Sequence, residues 1–169
     1  MSRRTEPTVE PLDLPPEYGS VSERLSWSSV EHRLEAAPIY WLCTVRPDGR
    51  PHAVPVDGLW ADAALWFGGS ATAVHQLNLV LNPRVVVHIE DGSAPVIVEG
   101  VASTVVPSHD QAKALAALSQ RKYGYAPSAE AYAVGVWHVP ALRVLAWSTF
   151  PNDATRFVFE SPENDLTRP

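Results

Sequence analysis

The sequence predicts a mainly β domain of the α+β kind, a small antiparallel barrel with a few short helices at its flanks. Three observations carry this. Short runs rich in aromatic and β-branched residues recur from residue 38 onward. Turn formers separate them: Arg46-Pro47-Asp48-Gly49, Asp57-Gly58 and Asp91-Gly92. Helical periodicity is confined to three short stretches. Many short strands with tight turns and few helices favour a barrel over layered α/β folds, and no glycine fingerprint of a Rossmann unit or P-loop is present.

Residues 1–20 are polar, proline-rich and aperiodic, so an extended or disordered arm is expected; residues 21–160 form the domain and 161–169 a flexible tail. A first helix is expected over 26–37, capped by Ser26 or Ser28, with Val30, Leu34 and Ala37 at helical spacing. Residues 38–45 read as a strand and 46–49 as a turn in which proline presets one φ and glycine takes a positive one. Residues 50–56 return as a second strand, with His52, Val54 and Val56 on one face and Ala53 and Pro55 on the other. Pro51 and Pro55 cannot donate to a ladder, so this strand belongs at an edge or carries a bulge. Residues 59–67 read as strand or hairpin, ballasted by Trp60, Leu65, Trp66 and Phe67.

A second helix is expected over 71–82, capped by Ser70 or Thr72 and ended by Asn82-Pro83. Val74, Leu77 and Leu81 make its apolar stripe; Thr72, His75, Asn78 and Asn82 share a polar one. Strands follow over 84–90 and 95–106. Ser108 and Gln111 suit a capping box for a helix over 109–122, with Ala112, Leu115 and Leu118 on its buried face. Strands at 136–139, 142–147 and 155–159 complete the chain.

A length of 169 residues suits one domain with a sizeable core. The net charge of -6 argues against general affinity for nucleic acid or anionic membrane. No apolar run is long enough to span a membrane, and Arg3-Arg4 reads as part of the arm because no apolar stretch follows it. The lone Cys43 makes an internal disulfide impossible, which fits a cytoplasmic protein. The six histidines lack ligand spacing, so no metal is expected.

The stretch from Trp41 to Val56, WLCTVRPDGRPHAVPV, resembles the opening hairpin of the pyridoxamine 5′-phosphate oxidase-like proteins. The order continues with Leu65-Trp66-Phe67, a helix ending Asn82-Pro83-Arg84-Val85, and Val98-Glu99-Gly100. Ala146-Trp147 and Thr155-Arg156-Phe157 look like the actinobacterial flavin/deazaflavin oxidoreductase branch. The resemblance covers residues 38–106 closely and the C-terminal strands more loosely. It implies a split β-barrel homodimer with cofactor sites at the subunit interface, and a small-molecule substrate. It also implies coenzyme F420, slightly favoured over FMN, as the cofactor.

By the same resemblance, His52, Val54, Pro55 and Val56 run beside the cofactor ring. Ser70, Thr72, His75 and Asn78 stand at the start of the second helix, where free N–H groups and hydroxyls suit a phosphate. Relatives often carry Lys or Arg on this helix, where the present chain has Val74, His75 and Leu77; Arg156, with Arg50 and Arg84, is a substitute cation. No side chain stands out as acid, base or nucleophile, as suits hydride transfer in which the cofactor holds the reactivity. Solvent or His52 is then the proton source. The enzyme expected is an F420- or FMN-dependent oxidoreductase acting on a small conjugated substrate. The alternative is a non-catalytic module that binds or stores flavin, haem or another planar ligand. The plainer readings are a surface histidine at 52, a solvated helix face at 75, a satisfied strand histidine at 88, a core thiol at 43, and an Arg156–Asp153 ion pair. Trp147 is a further candidate for lining the cleft.

Overall fold

The computed structural model describes residues 6–160. Ten antiparallel strands and four helices make up the domain: β1 (Thr8–Glu10), α1 (Trp27–Ala36), β2 (Tyr40–Val45), β3 (Pro51–Val56), β4 (Leu59–Ala61), β5 (Ala64–Phe67), α2 (Val74–Leu81), β6 (Arg84–Ile89), β7 (Val96–Val101), β8 (Ser103–Val105), α3 (His109–Tyr123), α4 (Ala129–Ala133), β9 (Val136–Ala146) and β10 (Thr155–Val158). The strands run β1-β10-β9-β7-β6-β2-β3, while β4, β5 and β8 gather on the first half of β9. The sheet does not close, so it forms a split barrel. No helix among the described residues is long and apolar enough to cross a membrane.

β9 organises the split. Val136 to Pro140 pair with β5 and β8, and Ala141 to Ala146 pair with β7 and β10. The strand slips register against β7 between Glu99 and Gly100. Only glycine fits there: a Cβ on Gly100 would sit 2.7 Å from the Pro140 carbonyl oxygen and 2.7 Å from Val139 Cγ1. The main core lies on the inner face of the large sheet, where Tyr40, Leu42, Val87, Val98 and Val144 meet Val30 and Leu34 of α1. Burial of each such aliphatic side chain stabilises by about 1.5–3 kcal/mol. A smaller cluster of Leu59, Trp66, Leu115 and Tyr132 seats α3 and α4 on the β4–β5 hairpin.

Local chemistry explains the elements that match expectation. Ser26 caps α1, its hydroxyl accepting the Ser29 N–H at 3.3 Å. Gly49 turns the β2–β3 hairpin at φ 82°, donating to the Arg46 carbonyl at 2.9 Å. β3 pairs with β2 alone and is an edge, as its prolines require. Ser108 and Gln111 form the capping box of α3, and Gly124 ends that helix in the left-handed region at φ 77°.

Beside the unexpected α4, four elements differ from expectation. The single strand expected over 95–106 is broken at Ala102, whose N–H turns away to the Pro83 carbonyl at 2.8 Å. The two strands expected at 136–139 and 142–147 are one, because Pro140 falls where β9 changes partners and its missing N–H breaks no continuous ladder. α2 starts at Val74 and not at 71: the Ala73 N–H closes a turn onto the Ser70 carbonyl at 2.9 Å, and the Ser70 hydroxyl bonds Thr72, so neither residue caps the helix. The aperiodic arm contains β1, held against β10 from Thr8↔Val158 to Glu10↔Arg156. Periodicity is silent on a strand this short. Residues 1–5 and the expected tail at 161–169 lie outside the described residues.

Candidate functional site

The site is built where α2 crosses the β2–β3 hairpin. Asn78, 2% exposed, donates its amide to the Thr44 hydroxyl at 2.9 Å. The Thr44 hydroxyl in turn lies 3.4 Å from His52 Nδ1. With the Thr44 proton turned toward Nδ1, His52 carries its own proton on Nε2. The polar stripe of α2 is therefore partly internal: Asn78 holds the edge hairpin and does not face the ligand space.

His75, in the first turn of α2, lies against Phe67 at 6.3 Å between ring centroids. Its Nε2 is closed off from solvent and has no hydrogen-bond partner. Burial first, and then the nearby His52, push its pKa below the usual histidine value, so the ring is neutral at pH 7. Gln76, 7% exposed, likewise has an unpartnered amide nitrogen. The bend at Gly69, φ 138°, passes directly over it: a Cβ there would lie 2.8 Å from Gln76 Nε2. Gln76 Nε2 thus sits beneath the glycine bend, and His75 Nε2 is a second unpartnered nitrogen in the same turn of α2.

Beside them opens a half-enclosed cavity of about 440 Å³, walled by Val56, Trp66, Phe67, His75, Tyr123 and Tyr132 among others. Behind its wall, Lys122 Nζ donates to the Tyr40 hydroxyl and the Gly58 carbonyl, each at 2.9 Å, and stands 4.4 Å over the Tyr40 ring. Desolvation lowers the Lys122 pKa to about 8, against the opposing pull of Asp57. The Tyr123 hydroxyl lies 2.9 Å from the carbonyls of Pro38 and Gly58 and accepts the Gly58 N–H at 3.0 Å.

Of the residues expected at the site, Val56 and His75 line this cavity. His52 and Val54 share the inward face of β3, and Pro55 is on its exposed face. Ser70 and Thr72 are exposed in the bend before α2, their hydroxyls 2.9 Å apart. Arg156 does not join them within one chain: it lies on β10, at the opposite side of the sheet from β3. Arg50 pairs with Asp48 at 2.8 Å. Trp147 packs against Phe150 at the far end of β9, away from the cavity. Asp153 accepts the N–H groups of Ser148 and Thr149, a turn-holding role in place of the ion pair with Arg156. His88 is satisfied as expected, 3.0 Å from the Ile89 carbonyl and stacked on Trp41. Cys43 is half-buried on the outer face of the sheet and not in the core. Sequence reasoning missed Gln76, Tyr123 and Tyr132. The signal available was the repeated tyrosine in the glycine- and proline-bearing stretch from 123 to 132.

A split antiparallel barrel with an edge hairpin, and a glycine bend before α2, sets the fold class of the protein. The sequence matches the pyridoxamine 5′-phosphate oxidase family over residues 28–149, and the chain belongs to that family. No curated protein matches it significantly in sequence. Among solved structures it is similar to a conserved hypothetical protein of Mycobacterium tuberculosis, with 22% identity and a TM-score of 0.61, over 75% of this chain and 86% of that one. It is similar to an F420 reductase, with 24% identity and a TM-score of 0.53, over 68% and 94% of the two chains. It is also similar to a heme binding protein from Mycobacterium smegmatis, with 23% identity and a TM-score of 0.58, over 80% and 59%. At these identities the likeness is one of fold.

The residues present fit a flavin-type group in an uncommon way. The edge strand β3 and the apolar wall from Val56 to Phe67 suit a flat ring. The residues that would meet a polar end are uncharged: the Val74 and His75 N–H groups at the head of α2, and the Ser70 and Thr72 hydroxyls of the preceding bend. No lysine or arginine stands on α2.

Proposed function

We propose that this protein is a cofactor-dependent oxidoreductase that uses F420 or FMN on a small conjugated organic substrate. The cofactor, when bound, supplies or accepts the hydride; the protein binds, orients and shields. The observation that carries this reading is the pair of unpartnered nitrogens in the first turn of α2: Gln76 Nε2 beneath the Gly69 bend, and His75 Nε2 on a residue that lines the cavity. A buried donor without an acceptor costs about 1–3 kcal/mol, which a bound ligand relieves. His52, its Nδ1 3.4 Å from the Thr44 hydroxyl, is the residue of the hairpin that would supply a proton. A homodimer is part of the proposal. Val74, Leu77, Val80 and Leu81 form an exposed apolar stripe on α2, next to the site, that a second copy would cover. Arg156 of that copy is then the natural cation for the anionic end of the cofactor.

A second reading has its own support. A neutral imidazole with a free Nε2 is the form of histidine that ligates iron, so His75 suits a haem-binding or storage module on the same fold. Titration of the purified chain with F420, FMN and haemin separates these. Micromolar binding of F420 or FMN, weakened about tenfold in Gln76→Leu, supports the oxidoreductase. A haemin Soret band shifted on binding and lost in His75→Ala, with no binding of the other two, replaces it with the carrier.

A further inference from the structure

We propose that residues 124–135, the short helix α4 with a glycine at either end, form a lid that swings on Gly124 and Gly135 to open and close the cavity walled by α3 and β5. The inference holds whichever ligand the cavity takes.

The segment is built to move as a unit. Its ends are in the left-handed region, Gly124 at φ 77° and Gly135 at φ 89°, a conformation that residues with a side chain rarely adopt. Among the described residues, the hydrogen bonds between those ends stay local: the Ala131 N–H donates to the Ser128 carbonyl, and the Tyr132 carbonyl accepts the Gly135 N–H, each at 3.1 Å. What holds the segment down is one side chain in the small core, Tyr132, helped by Tyr125 stacked on Tyr123 at 6.1 Å between ring centroids. Tyr125 is 51% exposed and Val134 83% exposed. A segment with so few buried contacts opens at low cost.

The anchor itself favours opening. Tyr132 is 6% exposed, yet its hydroxyl has no hydrogen-bond partner and no contact with solvent. A hydroxyl buried in this way opposes the burial of the ring that carries it, and water satisfies it when the lid lifts. The ring holds the lid shut while the hydroxyl works it open, so the two positions are close in free energy. The cavity depends on the lid for one wall: Tyr125, Pro127 and Ala131 line it from the lid, Trp66 and Phe67 from the barrel. With that wall in place, Leu115 and Ser119 on the α3 side of the cavity are 4% and 2% exposed. Lifting it uncovers them. A closed lid keeps water from a bound ligand, and an open one lets the ligand pass.

The test places a thiol beneath the lid. Ser119→Cys is made in a Cys43→Ser background of the full chain, without cofactor, and its alkylation by iodoacetamide is followed in urea below the unfolding transition. Alkylation through lid opening changes little with urea, because the opening exposes little surface, whereas alkylation through global unfolding accelerates steeply. The thiol should react by the first route. Adding Tyr132→Phe removes the orphan hydroxyl from the closed lid and should slow the reaction about tenfold. Adding Gly135→Ala sets a Cβ 2.7 Å from Thr104 Cγ2 at a positive φ, and should speed it about tenfold while amide exchange in the barrel strands stays unchanged. Reaction only through global unfolding, or at the rate of free cysteine, overturns the inference. So does a Tyr132→Phe variant that reacts as fast as its parent or faster, or a folded Gly135→Ala variant that reacts no faster. If Gly135→Ala loses the barrel's exchange protection, Tyr132→Phe decides alone.

Discussion

Helices α1 and α2 are close in length and opposite in orientation of character. α1 buries Val30 and Leu34 completely and turns Ser28, Ser29, His32 and Glu35 to solvent. α2 buries Gln76 and Asn78 beside Leu79, and leaves Leu77 52% exposed and Val80 72% exposed. The first follows the rule that an amphipathic helix hides its apolar stripe. The second inverts it, because the strands beneath present the Thr44 hydroxyl and His52, and an amide suits that surface better than a leucine. A helix of the first kind stabilises a fold; one of the second kind gives up packing for placement of polar groups. On the proposed reading, α1 serves the fold and α2 serves binding.

The sharpest way to break this contrast is to delete a leucine from each helix. Leu34→Ala should destabilise the chain by about 2–5 kcal/mol, the range for a buried leucine leaving a cavity, read as a fall in the urea midpoint that does not depend on protein concentration. Leu77→Glu should leave the fold intact and act on association. Light scattering should show a dimer for wild type and a monomer for the variant. A wild-type monomer, or a variant that stays dimeric, removes the exposed stripe of α2 from the subunit interface and requires another reason for its exposure.

The middle rung concerns the amide that does find a partner. Asn78→Leu should cost about 1–3 kcal/mol, because it takes the amide donor from the buried Thr44 hydroxyl and sets an apolar side chain against it. The double variant Thr44→Val with Asn78→Leu should recover most of that loss, since the two buried partners go together and the partly exposed His52, 3.4 Å from Thr44, can turn to water. Gln76→Leu should cost nothing or stabilise, because its nitrogen has no partner to lose. Should Gln76→Leu destabilise as much as Asn78→Leu, the claim that Gln76 is reserved for a ligand fails.

The same contrast explains how much was legible in the sequence. α1 and α3 were readable with their caps, because Ser26, Ser108 and Gln111 act within one turn and their apolar residues fall on the expected side. The β2–β3 hairpin and its place at an edge followed from Pro47, Gly49, Pro51 and Pro55, whose constraints are local. The barrel class followed from short strands and turns. α2 could be placed but not oriented: its period shows two stripes, and which one is buried depends on Thr44, thirty-odd residues away in the chain and reached only through the fold. The fused β9 was misread because Pro140 looks like a break unless Gly100 and the change of partners are known. Tyr132 was invisible for a related reason. An unpartnered hydroxyl is a property of what surrounds it, and α4 carries too short a period to announce a buried face.

α3 supplies the smallest and most specific test, since it combines a conventional apolar face with one buried charge. Lys122 has a pKa near 8 in the fold, and about 10.4 in the unfolded chain. Between those values the unfolded chain holds the proton that the folded chain has released, so this group adds stability as pH rises from 8 toward 10. Tyr40 and Tyr123 act with the opposite sign. Burial raises both above their ordinary value, so above about pH 10 the folded chain keeps protons that the unfolded chain loses, and stability falls. The difference in unfolding free energy between wild type and Lys122→Met isolates the lysine, because hydrogen bonds lost to Tyr40 and Gly58 shift it by a constant while the titration gives it a slope. That difference should grow in favour of wild type between pH 8 and 10, by on the order of 1 kcal/mol once solvent screening of a half-buried amine is allowed for. It should be flat below pH 7. A flat difference through pH 10 would mean that Lys122 keeps an ordinary pKa, and that the cavity wall behind Gly58 is wetter than its packing against Tyr40 and Tyr123 implies.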